Sequence, residues 1–234
     1  MVAKYNKKVA IVQSNYIPWK GYFDMINLVD EFILYDDMQY TRRDWRNRNK
    51  IKTANGLSWL TIPVEVKGKY YQKIKETVIN DPTWNQSHWQ SIQHNYEKAK
   101  CFREYSDVFR EAYLNTDETL LSRINHRFIT IICHILGITT KISWSMDYRI
   151  VDGKTERLVS LCQQAGATEY ISGPAARDYI DDQVFEAAGI KLTYIDYSGY
   201  SEYTQLYPPF EHGVSVIDLI LNEGPDAPKY MRSF

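Results

Sequence analysis
The run KVAIVQ at residues 8–13 sets the strongest constraint on this chain. Its apolar residues are consecutive and mostly β-branched, so a strand formed here has no polar face and is buried on both sides. Strands of that kind belong to parallel sheets covered by helices. After an aromatic loop, GYFDMINLVD (21–30) sets Phe23, Ile26 and Met25 or Leu28 at helical spacing, and EFILYDD (31–37) reads as a second strand ending in two carboxylates. A right-handed crossover turns such a strand, loop, helix, strand unit into parallel neighbours, the building block of Rossmann-like sheets.

The texture changes at MQYTRRDWRNRNKIKTANG (38–56), which is basic, lacks clear periodicity and is expected as a loop or short helix beyond a strand's carboxyl end. LSWLTIPVEV (57–66) returns to strand composition behind the ANG turn signal. From Thr83 to about Leu136 three helical runs follow, the last stopped by Gly137, and predict a small bundle set against the sheet. TKISWSMDY, TEYISG and IKLTYIDY then read as strands alternating with the helices KTERLVSLCQQAG and ARDYIDDQVFEAAG. A last helix starts near Gly213 or Ser215 and stops at Gly224-Pro225. The prediction is an α/β fold: a Rossmann-like, mostly parallel sheet flanked by helices, in one domain over residues 1–234 with an inserted or appended helical segment at about 83–137.

Several classes are set aside by composition. A net charge of -1 from 28 basic and 29 acidic side chains argues against holding nucleic acid or an anionic membrane by bulk electrostatics. Cys101, Cys133 and Cys162 show no CxxC spacing and read as reduced structural thiols. Residues 1–8 lead into the first strand without an apolar signal region, and no apolar run approaches the ~18 residues of a membrane span. The expectation is a cytoplasmic protein without membrane insertion.

Ligands of open parallel sheets bind outside the carboxyl ends of the strands. VQSNYIPWKGYFDMI (12–26) occupies such a place. There Gln13, Asn15, Tyr16, Trp19 and Tyr22 offer hydrogen bonds and stacking faces, and Gly21 permits close backbone approach. A base or a sugar fits that description; so does an aromatic plug between helix and sheet. TRRDWRNRNKIK adds Arg42, Arg43, Trp45, Arg46, Asn47 and Arg48, directly after Asp36 and Asp37. Guanidinium forks match phosphate or carboxylate oxygens and the asparagines read hydroxyls, whereas solubility alone would be served as well by lysines; a solvated charged face is the alternative. Asp36 and Asp37 invite Mg²⁺, but in a strand they point to opposite faces, so one of them faces the site and no metal is assigned.

The histidines His88, His94, His126, His134 and His212 form no HExxH and no zinc spacing. His88 shares a helical face with Ile92 and Tyr96, as a general base or as a hydrogen-bonded structural residue. Ser172 and Gly173, within YISGPAARDYID, repeat the strand, glycine, helix arrangement that admits an anion to helix N–H groups. The tyrosines and Pro208-Pro209 before the last helix read as an ordered aromatic loop, covering one side of a site or serving as a structural lid.

Pro18-Trp19-Lys20-Gly21-Tyr22 is similar in layout to the HxGH loop of nucleotidylyltransferases, with Trp19 and Tyr22 where the two histidines stand. More extensively, VQSNYIPWKGYFDMI, DDMQYTRRDWRNRNKIKTANGLSWLTIPV, HWQSIQHNYEKAKCF, YISGPAARDYI and SVIDLILNEGP resemble the WbqC-like protein family. Gln13, Tyr16, Pro18, Trp19, Gly21, Tyr22 and Phe23 fall on that family's first motif, while Ser14 stands where proline is common and Ile17 where leucine is. The resemblance implies bacterial surface-polysaccharide (O-antigen) biosynthesis and a nucleotide-sugar pathway. The expected reaction is acylation or aminoacylation, for instance with glycine, of the amine of a nucleotide-linked amino-deoxy sugar. Arg42, Arg46 and Arg48 would hold a diphosphate or carboxylate, Trp19 and Tyr22 would stack on base or sugar, and His88 or Asp36 would deprotonate the amine. Partners are then the nucleotide-linked sugar and a small acyl donor. The donor is carrier-borne or activated by ATP and Mg²⁺, as in pantothenate synthetase by analogy of layout. A non-catalytic nucleotide-sugar-binding or scaffolding protein is the alternative; glycosyltransfer would want a DxD, which DDM at 36–38 is not.

Overall fold
A computed structural model of the chain describes residues 6–234. The segment read as lacking an apolar leader falls, over residues 1–5, outside the described residues. Among these, five strands form one all-parallel sheet in the order β5-β2-β1-β6-β7: β1 Lys8–Val12, β2 Glu31–Leu34, β5 Lys141–Trp144, β6 Glu169–Ser172 and β7 Lys191–Tyr194. β1 lies in the middle, pairing Ile11 with Ile33 of β2 on one side and Ala10 with Ile171 of β6 on the other. The chain builds outward from β1 through β2 to β5 and then crosses back to β6. The carboxyl ends of β1 and β6 therefore flank the switch point where such sheets open a crevice.

The unbroken apolar runs do what their composition requires. Ala10, Phe32 and Leu34 face one core together with Phe23 and Ile26 of α1 (Lys20–Asn27). Val9, Ile11 and Ile33 face a second core with Leu158 and Leu161 of α5 (Thr155–Gln164) and Phe185 of α6 (Asp182–Ala187). The helical segment comprises α2 Trp84–Tyr96, α3 Phe102–Leu114 and α4 Leu121–Leu136. Gly137, at φ 73°, ends α4 in the left-handed conformation that costs glycine nothing. Phe109, Phe128, Ile129 and Ile132 join the first core, so these helices and the sheet bury a common apolar interior.

Four expectations are corrected. β2 stops at Leu34, and Asp36 and Asp37 lie in a turn, free of the opposite-face rule. The basic segment yields a strand, β3 Arg48–Thr53, paired antiparallel with β4 Gly56–Thr61 and not with the main sheet. Its single aliphatic residue, Ile51, is buried under the hairpin while Arg48 and Lys50 stay partly exposed, so side-chain periodicity gave no signal. β4 itself ends before Pro63, which has no N–H to give a ladder, leaving one isolated bridge at Val64. The single helix expected over 176–189 is broken: a 3-10 turn covers Pro174–Asp178, and Asp181 then caps α6 by accepting from the Gln183 N–H at 3.0 Å.

Candidate functional site
Beyond β1 the chain passes from Gln13 to Trp19 and turns into α1. Here three distant segments enclose a pocket of about 320 Å³. Asn15, Pro18 and Trp19 come from the first loop, Trp45 and Asn49 from the basic segment, and His212 and Gly213 from the stretch before α7 (Val216–Glu223). The volume sits at the small end of ligand pockets, which run from about 300 to 1,000 Å³. Indole faces and amide groups together suit a ring that carries hydroxyls.

The loop's backbone is held by the elements around it. The Tyr16 N–H donates to the Trp45 carbonyl at 3.0 Å, and the Asn49 amide donates to the carbonyls of Tyr16 at 3.2 Å and Ile17 at 2.9 Å. At the start of α7 the Ser215 N–H donates to Lys50 and the Val216 N–H to Pro18, both at 2.9 Å. Between these ties Ile17 sits at φ 37°, a left-handed conformation unfavourable for a β-branched residue and persisting only where its surroundings over-determine it. Trp19 then folds back over α1, packing edge-on against Tyr197 at 5.1 Å and Tyr200 at 5.7 Å. Its indole fills the space above Gly21, so the close approach that glycine permits is made by a tryptophan of the same loop.

Around this pocket lie polar groups without partners. Arg46 donates to the side-chain oxygen of Asn15 and lies 3.6 Å from Asp44, yet its buried Nε has no acceptor. Burial lowers its pKa, which the nearby carboxylate of Asp44 opposes. The Nε of Arg48 and the Nδ1 of His212 are likewise buried and unpaired. Burial, reinforced by the Lys20 ammonium, lowers the His212 pKa, so the ring is neutral at pH 7. Such orphaned groups are rare in folded proteins and mark places where a ligand or water completes the bonding.

The remaining expected residues lie beneath or beside the pocket. Tyr16 is fully buried; its hydroxyl is 2.8 Å from His88 Nδ1 and 2.7 Å from the Tyr113 hydroxyl. His88 Nε2 faces the Thr61 carbonyl at 3.2 Å, and a carbonyl only accepts, so Nε2 carries the proton and Nδ1 accepts from Tyr16. Both ring nitrogens are thus occupied, and burial lowers the pKa of His88 to about 4. Asp36 is also buried, accepting from the Ser14 N–H at 2.8 Å, the Ser14 hydroxyl at 2.7 Å and the Ser122 hydroxyl. Burial raises its pKa against those hydrogen bonds. Its two oxygens are taken up by these donors, which does not fit a Mg²⁺ ligand facing the pocket; Asp37 pairs with Lys75 at 2.6 Å.

Tyr22 is buried with its hydroxyl on the Gln13 carbonyl at 3.1 Å. Asn47 is buried and donates to the Ile62 carbonyl at 2.8 Å. Arg42 and Arg43 are exposed, the former donating to the Val66 carbonyl at 3.1 Å. Ser172 ends β6 and Gly173 follows it, with the Ser172 hydroxyl 3.4 Å from the Tyr170 hydroxyl, and neither lines the pocket. Asn15, Trp19 and Trp45 are therefore the expected residues that meet in it, with Arg46 behind Asn15.

A wider concavity of about 710 Å³ lies by the edge strand β5, between Trp144 and the start of α4, but none of the expected residues lines it. Sequence reasoning missed His212 and Gly213. The available signal was their position, two and three residues before the capping Ser215 and directly behind the aromatic loop.

Residues 13–230 match the WbqC-like protein family. A protein of Mycobacterium tuberculosis (strain ATCC 25618 / H37Rv), named "Uncharacterized protein Rv1507c", is 56% identical over 226 residues, spanning 97% of this chain and 98% of that protein. No solved structure matches the chain. With the first loop, the basic segment and the last helix all inside the matched span, the chain belongs to the WbqC-like protein family.

Proposed function
We propose that the chain binds a nucleotide-linked amino-deoxy sugar at the first-loop pocket and acylates its amine with a small acyl or aminoacyl group, glycyl being one, in surface-polysaccharide (O-antigen) assembly. The observation that carries this reading is the convergence of Asn15, Trp19, Trp45, Asn49 and His212 on one small pocket at the carboxyl end of a central parallel strand. The indoles stack on the sugar, Asn15 reads its hydroxyls, and the arginines of the basic segment balance the phosphates.

His212 takes the role of base that the sequence offered to His88 or Asp36. It lines the pocket with a neutral ring, whereas His88 and Asp36 have their acceptor positions filled. The amine attacks the carbonyl carbon of an activated acyl donor. A C–N bond forms, the bond from that carbon to the leaving group breaks and its electron pair leaves with that group, and the amine's proton passes to the His212 ring. His88, through Tyr16, is a positioning residue for the loop.

Incubation with a nucleotide-linked amino sugar, ATP and glycine or a panel of carrier-borne acyl groups, read by mass spectrometry, tests the reaction. The expected result is the acyl mass increment on the sugar, lost in Trp19→Ala and Arg46→Ala. A second reading, a non-catalytic nucleotide-sugar-binding protein, is favoured by the absence of any carboxylate, thiol or hydroxyl nucleophile among the lining side chains. Tight binding with no product from any donor would select it.

A further inference from the structure
The β3–β4 hairpin carries a second feature that the pocket does not use. Its register sets Lys50 opposite Trp59 and Lys52 opposite Leu57, so Arg48, Lys50, Trp59 and Leu57 share one face, while Ile51 and Leu60 are buried on the other. On the first face Trp59 is 41% exposed and Leu57 44%. Trp45, also 41% exposed, lies 5.4 Å from Trp59. The Arg48 guanidinium stands 4.1 Å over Trp59, and the Lys50 ammonium 5.3 Å from Trp59 and 5.8 Å from Trp45. Neither cation has a carboxylate within ion-pair distance among the described residues, and Arg48 Nε is buried without an acceptor. Cross-strand packing accounts for the contacts between cations and indoles. It leaves unexplained why two indoles remain half open and why a buried guanidinium N–H has nothing to donate to.

We infer that this hairpin face is the outer half of the ligand site and holds a nucleoside diphosphate, with the diphosphate on Arg48 and Lys50 and the base on the open indoles. The inference rests on the proposed binding of a nucleotide-linked sugar and fixes its direction: sugar inward, nucleotide outward. Trp45 joins the two halves, since it lines the pocket and packs on Trp59. A pocket of about 320 Å³ takes the sugar ring and leaves the rest of such a substrate outside. Two unpaired cations beside flat apolar rings complement an anion attached to a flat ring. A polyprenyl diphosphate offers the same anion without the ring, so the indoles favour the nucleotide.

The test is direct binding to the full chain, followed by calorimetry and tryptophan fluorescence, with uridine or thymidine diphosphate, inorganic pyrophosphate, and vesicles containing a polyprenyl diphosphate. We expect at least a tenfold loss of nucleoside diphosphate affinity in Trp59→Ala, in Arg48→Ala and in the charge-reversed Lys50→Glu, each with an unchanged circular dichroism spectrum. Pyrophosphate binding should depend on Arg48 and Lys50 but not on Trp59. Unchanged affinity in the three hairpin variants would overturn the inference, as would binding confined to the polyprenyl diphosphate vesicles. Hairpin-dependent diphosphate binding without acyl product would remove the acylation reading and leave this one standing. Acyl product formed with unaltered KM in the hairpin variants would do the reverse.

Discussion

Gly21 lies in the first turn of a helix, where alanine would normally be the better residue by about 1 kcal/mol. Here an added Cβ would enter the Trp19 indole, which is held between Tyr197 and Tyr200. Gly21→Ala should therefore leave global stability within about 1 kcal/mol while moving Trp19, seen as a shifted fluorescence maximum and a loss of sugar-nucleotide affinity. His88 behaves differently. Its pKa falls from 6.5 when free to about 4 in the fold, so the unfolded chain binds a proton that the native one refuses between those values. Stability is complete above pH 6.5 and declines as pH falls toward 4, by up to about 3 kcal/mol. Denaturant melts of His88→Gln should lose that pH dependence and lie about 1–3 kcal/mol lower at pH 7, the cost of leaving Tyr16 or Thr61 unpaired. The sequence identified His88 and placed it on one helical face with Ile92 and Tyr96; its partners, contributed by β4 and the first loop, were beyond local reading.

At the scale of elements, the first loop is shaped more by its neighbours than by its own propensities. Ile17 at φ 37° precedes a proline and gains nothing locally from that geometry. The Asn49 amide, reaching from β3 to two of the loop's carbonyls, is the clamp. Asn49→Ala should cost about 1–3 kcal/mol in urea unfolding and, by releasing the loop, weaken ligand binding more than stability. Asn49→Asp, which keeps the size but sets a buried carboxylate against two carbonyl oxygens, should cost at least as much as alanine. β3 shows why the hairpin escaped prediction. Arg48-Asn49-Lys50-Ile51-Lys52-Thr53 has one aliphatic side chain, and its strand conformation follows from pairing with β4 and from Ile51 meeting the core. The α4 stop at Gly137 was legible because a chemical feature of one residue decides it.

For the whole molecule, β1, β2 and the edge strand β5 are tied by one carboxylate. Glu31, buried at the start of β2, accepts from Lys7 at 2.7 Å, Lys141 at 3.0 Å, Ser143 at 2.7 Å and the Tyr148 hydroxyl. Burial alone would raise its pKa, but hydrogen bonds led by Lys7, then Tyr148, Ser143 and Lys141, hold it at about 2. A carboxylate depressed in the fold stabilises it above its unfolded pKa near 4.5 and loses that contribution as pH falls toward 2. Acid unfolding of Glu31→Gln should be shallower between those values, with a lower midpoint in urea at pH 7 because Lys7 and Lys141 are left without their partner. The parallel sheet and its alternation with helices were determined by the sequence itself, because short runs of consecutive apolar β-branched residues favour strands, and a strand without a polar face must be covered on both sides. It also marked the aromatic loop and the basic segment as separate candidates for ligand contact. Only the tertiary structure decided that they meet, that His212 joins them, and that Asp36 and His88 turn inward to brace the loop. Those outcomes depend on hydrogen bonds from β3 and from the start of α7, elements far away along the chain whose register no local pattern encodes.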